Sequence, residues 1–239
     1  MLDDFLYRSF AGLLDVTIWG GEFPGSENLP ATGPAVFVSN HACALGPIAV
    51  VASVPLRLYP WVAADMLEQD KAAAYLNQDF VEPQLHIPPP LSMIVARTIS
   101  KISVRLLRSI DCIPVWHGER VAETYRISLD YLMHGRNLLI FPEDPSQPFD
   151  ERCGMYPFLK SFSRLGELYF ERTQKNLRFY PLVVHPGLRQ VVLGKPIVFN
   201  PINNVVNERN RIKSVMESVI RSTFIEMTLK GYAGIPLPH

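Results

Sequence analysis

Short apolar runs rich in β-branched and aromatic residues alternate along this chain with stretches of helical periodicity, and that alternation restricts the fold more than any other feature. The candidate strands are 35–40 (AVFVSN), 58–63 (LYPWVA), 112–116 (CIPVW), 138–141 (LLIF), 178–184 (RFYPLVV) and 191–193 (VVL). Helical patterns occupy 119–134, 158–170 and 206–229. Strands interleaved with helices predict an α/β protein, a mixed sheet flanked by helices. With 239 residues, 48% of them apolar, the chain can bury one large core, so a single domain over 1–239 is expected.

The two ends of the chain read as helices. At the N-terminus, Leu6, Phe10, Leu13 and Leu14 fall on one side of an amphipathic helix at about 2–14. Near the C-terminus, Ile212, Val215, Met216, Val219 and Ile220 form an apolar stripe, and Gly231 stops the helix. After the first helix, VTIWGG reads as a short β-rich run, and GSENLPATGP as a loop. The stretch Glu68 to Pro90 reads as an irregular surface excursion.

Charge and composition exclude several classes of function. Lysine plus arginine equal aspartate plus glutamate at 23 each, so no strong field draws the chain to nucleic acid. Cys43, Cys112 and Cys153 are too few and too scattered for a disulfide framework, and none has metal-ligand spacing. A cytoplasmic protein without a bound cofactor or metal is expected. The acidic N-terminus lacks the features of a signal peptide and is expected to be retained. The longest apolar stretch, Gly46 to Ala64, is interrupted by Pro47, Pro55, Arg57 and Pro60. A membrane-spanning helix seldom carries these together, which leaves peripheral attachment as the route to a bilayer.

The chemistry centres on His41. The strand at 35–40 delivers an imidazole to its C-terminal end, where ligand sites of α/β sheets collect, and an imidazole titrates near neutrality as a general base requires. From these residues alone, a histidine bonded to a loop carbonyl is the commoner reading of His41.

The order of four segments adds to this. Asn40-His41 after a strand, Ile113-Pro114-Val115-Trp116-His117-Gly118, Phe141-Pro142-Glu143-Asp144, and Phe158 to Lys160 followed by Tyr180-Pro181-Leu182-Val183-Val184 together resemble the glycerol-3-phosphate and lysophospholipid acyltransferase superfamily. The resemblance runs from about Val16 to Phe199. It implies that His41 takes a proton from a hydroxyl or amine acceptor, which attacks an acyl thioester of coenzyme A or a carrier protein. It places Glu143 beside His41 as a catalytic partner, and Asn40, His117, Arg120, Pro142 and Asp144 around the substrate. His41 and Glu143 are expected to face each other across a space that admits a thioester. A lysophospholipid is one acceptor the resemblance offers.

The chain departs from the family pattern at telling places. The Asp five positions after the His is Gly46, the arginine of the second motif falls at His117, and the glycine, threonine and arginine of the third become Asp144, Pro145 and Ser146. Loss of an orienting carboxylate costs on the order of 10⁴ in rate in triad enzymes. Three readings follow: a substitute acid among Glu143, Asp144 and Asp111; a non-catalytic acyl- or lipid-binding relative; or a thiol nucleophile at Cys43, against which stands a buried cysteine acting as a small hydrophobe. Arg120, the remaining cation near the second motif, serves either as a phosphate ligand or as a solvated helix-start residue.

Residues 91–110 form a basic amphipathic segment with Arg97, Lys101, Arg105 and Arg108 and no acid before Ile110. It is expected to meet an anionic membrane surface at the inner face, or to hold donor phosphates, or to cover core with its long aliphatic stems.

Overall fold

The computed structural model describes residues 4–42, 45–82 and 85–233. In chain order it contains α1 (Asp4–Leu14), β1 (Val36–Ser39), α2 (Leu45–Ser53), β2 (Leu58–Ala63), α3 (Gln69–Leu76), α4 (Leu91–Ser109), β3 (Ile113–Val115), α5 (Val121–Met133), β4 (Asn137–Ile140), α6 (Arg164–Thr173), β5 (Arg178–His185), β6 (Gln190–Leu193), β7 (Ile197–Val198) and α7 (Val205–Ala233). This is the expected α/β architecture with mixed strand pairing and flanking helices. The described chain divides into two compact units, one made of 4–7 with Tyr59–Ser128 and the other of Arg8–Leu58 with 129–233.

In the larger unit the strand order is β4–β1–β5–β6. Strands β4, β1 and β5 run parallel, with Phe37 beside Leu139 on one side and Tyr180 on the other. Strand β6 pairs antiparallel with the end of β5, and β7 pairs antiparallel with its start. Every residue of β1 is buried, as are six consecutive residues of β5. Such continuous apolar runs suit central parallel strands covered on both faces. Phe37 stacks on Tyr180 at 5.2 Å within a core that includes Trp19, Val50, Leu139, Leu182 and Val191. Helix α7 packs against β5, and Ile212, Met216 and Ile220, four residues apart, are fully buried.

In the smaller unit β2 and β3 pair in parallel, Trp61 beside Ile113. The Trp61 indole donates to Ser128 Oγ at 2.9 Å and meets the Tyr125 ring edge-on. Helices α3 and α4 pack on each other, and the α4 face that is buried carries the small residues Ser92, Ala96, Ser100 and Val104.

Several expectations from the sequence are corrected. VTIWGG is no strand: residues Asp15–Trp19 continue α1 as a π-helical turn, because no breaker intervenes before Gly20, whose φ of 53° ends the helix in the left-handed region. Of α1 itself, Tyr7 is buried while Leu6 and Leu13 of the anticipated stripe are exposed. Residues 68–90 are not an irregular excursion but hold α3 and a π-helical turn, Asn77–Val81. The interrupted apolar stretch begins with an unanticipated helix, α2, which accommodates Pro47 in its first turn, where a missing N–H costs no helical bond.

The start of α7 is fixed by a polar clasp. Asn204 Oδ1 accepts the Val206 and Asn207 N–H groups as an N-cap. The buried Glu208 carboxylate accepts from the Asn200 N–H, the Asn203 amide and Arg211. Burial pushes this carboxyl up, but the bonds from Arg211, Asn203 and Asn200 outweigh it and hold it down to about 2. A depressed carboxyl stabilises the fold above its ordinary value of 4.5, and that contribution disappears as pH falls toward about 2. Glu208→Gln should therefore lower unfolding free energy at neutral pH by about 1–3 kcal/mol and flatten its decline between these pH values, as measured by denaturant titrations at a series of pH.

Candidate active site

Because β1 and β4 are parallel neighbours, their C-terminal ends open on the same edge of the sheet. The first supplies Asn40 and His41, the second Phe141, Pro142, Glu143 and Asp144. The buried Asn40 side chain is an extension of the ladder: its Nδ2 donates to the Val184 carbonyl at 2.9 Å, and its Oδ1 accepts the Val184 N–H at 2.8 Å. Its amide thus ties the end of β1 to β5 rather than reaching toward a ligand.

Glu143 is the node of the site. One carboxylate oxygen accepts the His41 peptide N–H at 2.6 Å and the other the Tyr156 N–H at 2.9 Å. Burial pushes the Glu143 carboxyl above its ordinary value, against the pull of the Tyr156 and His41 N–H groups and the charge of Arg221. His41 and Glu143 therefore do not face each other across a gap, contrary to expectation: the carboxylate binds the main chain of His41 directly. The His41 ring is exposed and meets the Phe141 ring edge-on at 5.1 Å.

Gly46 explains why no carboxylate stands five residues after the histidine. It lies buried in the first turn of α2, and a Cβ there would overlap the His41 carbonyl oxygen. The His41 carbonyl lies so close that any side chain at 46 would force the backbone apart. Restoring an aspartate at this position is thus opposed by packing against main chain, not by a positive φ.

The remaining candidates occupy varied positions. Pro142 is buried, and its carbonyl accepts the Leu159 N–H at 2.7 Å. Asp144 accepts from the Ser146 hydroxyl and N–H, which hold its carboxyl below the usual range. It shapes its own turn. His117 and Arg120 are exposed in the smaller unit, where the Arg120 guanidinium lies over the Trp116 ring at 4.5 Å. Asp111 is in that unit also, with a φ of 58°. Cys43 lies outside the described residues. Among the described residues no cluster of three His, Cys, Asp or Glu side chains could hold a metal ion.

Sequence reasoning missed the support behind Glu143. On α7, Lys213, Glu217 and Arg221 sit four residues apart. Glu217 accepts the Phe158 N–H at 3.2 Å, and Arg221 reaches Asp150 Oδ2 at 3.0 Å while bonding Glu217. These bonds fasten the segment 150–158, whose Tyr156 N–H grips Glu143. The charge spacing along α7 was readable, but its target was not. His185, at the end of β5, is a second omission. Its Nδ1 accepts the Leu188 N–H at 3.1 Å, and its Nε2 lies 2.9 Å from Thr228 Oγ1, whose own proton goes to the Phe224 carbonyl. That pattern assigns a neutral ring protonated on Nε2, and burial pushes its pKa down.

No family model matches the chain, and no curated protein sequence matches it. Among solved structures, the fold is similar to that of the 1-acyl-sn-glycerophosphate (LPA) acyltransferase PlsC from Thermotoga maritima, with a TM-score of 0.55 and 13% identity over 95% of this chain and 84% of that one. The similarity is one of fold.

The tightness at Gly46 is directly testable. Gly46→Ala should lower unfolding free energy by at least about 1–3 kcal/mol, the usual cost of overpacking, with Gly46→Asp worse still. Melting temperatures of the two variants unchanged from the parent would contradict the overlap.

Proposed function

We propose that this protein is an acyltransferase that moves an acyl group from a coenzyme A or carrier-protein thioester to a hydroxyl or amine acceptor, with a lysophospholipid as one candidate acceptor. The observation that supports this most is the placing of an exposed imidazole, His41, at the C-terminal end of β1, its peptide held by a carboxylate from the neighbouring strand end, in a fold similar to that of an LPA acyltransferase. In this reading the neutral His41 ring removes the acceptor proton as the acceptor oxygen or nitrogen attacks the thioester carbonyl. The tetrahedral intermediate then collapses, the C–S bond breaks, and the imidazolium returns its proton to the departing thiolate. Glu143 acts by fixing the backbone from which the ring projects.

A second reading has its own observation. Gly46 leaves no room for the family's orienting carboxylate, which supports a non-catalytic relative that keeps an acyl- or lipid-binding surface. Attachment to an anionic membrane through residues 91–110 fits either reading. Among the described residues no helix is long and apolar enough to cross a bilayer.

Free-thiol release from a panel of acyl-coenzyme A donors, with and without acceptors, separates the two. The enzyme reading expects turnover that His41→Ala lowers by about 10²–10⁴-fold, the span of general-base contributions. Glu143→Gln should lower kcat and also reduce stability, since an amide cannot accept two N–H groups with equivalent oxygens. Turnover untouched by His41→Ala defeats the mechanism, and an inert protein that retains stoichiometric lipid in native mass spectrometry favours the binding relative.

A further inference from the structure

In the smaller unit, α3 and α4 enclose a cleft of about 390 Å³ lined by Gln69, Asp70, Ala73, Arg97, Ser100, Lys101 and Arg105. Arg97, Lys101 and Arg105 follow one another at four-residue intervals. The helical rise puts the outer two about 12 Å apart along the α4 flank that faces α3. The fourth cation of this helix behaves differently: Arg108 donates to the Leu67 carbonyl at 2.6 Å. Among the described residues none forms an ion pair with Arg97, Lys101 or Arg105, and every ion pair of α3 belongs to Lys71.

We infer that this cleft binds a phosphate monoester. Three cations set against the one carboxylate of Asp70 leave a local charge of about +2, the complement of the −1.5 to −2 that a phosphate monoester carries at neutral pH. Arginine forks and a lysine ammonium are the donors such a group takes in charge-assisted bonds. Beside the cleft, the outward face of α4 exposes Leu91, Ile94 and Ile102 at 55%, 59% and 68%. A helix carrying free cations along one flank and bare aliphatic side chains next to them suits a phosphate that comes with an apolar chain. The same donors would hold a soluble phosphate. The site involves neither His41 nor Glu143, so a chain inert toward thioesters could still carry it. It deepens the membrane attachment proposed for residues 91–110, which needs only negative charge, whereas this cleft needs a monoester.

The test uses the full chain, with inorganic phosphate followed by calorimetry and vesicles followed by flotation. The vesicles are phosphatidylcholine doped with phosphatidic acid or, at matched surface charge, with phosphatidylglycerol, a diester. The combined change Arg97→Gln, Lys101→Gln and Arg105→Gln should weaken binding at least about tenfold, and Asp70→Asn should strengthen it. Arg108→Gln removes one charge outside the cleft, the same as Lys101→Gln removes inside it, and should leave affinity within about twofold, by the weak effect of a tethered surface cation. Lys101→Gln alone, exposed on the helix surface, reads the same effect if the triple variant misfolds. Saturation by inorganic phosphate supports the site with a soluble ligand, and binding confined to phosphatidic acid vesicles supports it with a lipid headgroup. Equal flotation with both anionic lipids overturns it while sparing the membrane reading. Absence of binding to either probe, or equal losses from Arg108→Gln and Lys101→Gln, overturns it as well.

Discussion

The Glu143 carboxylate joins two main-chain segments that no strand pairing joins, the turn after β1 and the segment leading to Phe158. Each oxygen takes one peptide N–H, so both oxygens brace backbone. A partly buried carboxylate with two such donors is stable where a bare one would not be, since desolvation of an unpaired charge costs far more than either bond returns. The position of His41 follows from this arrangement. With Asn40 sewn to Val184 on one side and its own N–H held by Glu143 on the other, the residue has little backbone freedom, as the general-base reading proposed for it requires.

Behind that brace stands α7. Its buried stripe, Ile212, Met216 and Ile220, seats it on β5, and its polar flank turns Glu217 and Arg221 toward residues 150–158. Packing and electrostatics divide the labour: apolar burial fixes where the helix lies, and hydrogen bonds of defined direction fix the loop that lies against it. The clasp around Glu208 holds the first turn of the same helix, so the support of the site extends to Asn200 and Asn203, which come well after the motif segments in sequence.

Gly46 shows how a departure from a family pattern can have a packing cause. Where the resemblance implies an aspartate, the His41 carbonyl occupies the space that a Cβ would need on a residue in the first turn of α2. The close approach of the His41 carbonyl and the absent carboxylate are one feature. What fixes the His41 backbone in the structure is the main-chain bond from its N–H to Glu143.

Much of the architecture was legible beforehand, because burial on both faces writes itself into continuous β-branched and aromatic runs: 35–40, 138–141 and 178–184 all appear as strands, displaced by no more than a residue or two at their ends. The long stripe of α7 was legible for the same reason, since a period of 3.6 in apolar residues needs no knowledge of the partner. Motif order likewise brought His41 and Glu143 to attention. What the sequence could not convey was any quantity that depends on residues far apart in the chain meeting in space. That Asn40 bonds Val184, that Glu143 grips the His41 peptide rather than its ring, that Gly46 has no room for a Cβ, and that Arg97, Lys101 and Arg105 line a cleft while Arg108 is tied to Leu67 all depend on distances across the fold. Local propensity and periodicity set which segments become strands and helices; hydrogen-bond direction and excluded volume between remote segments set what those elements do, and both arise only once the chain has folded.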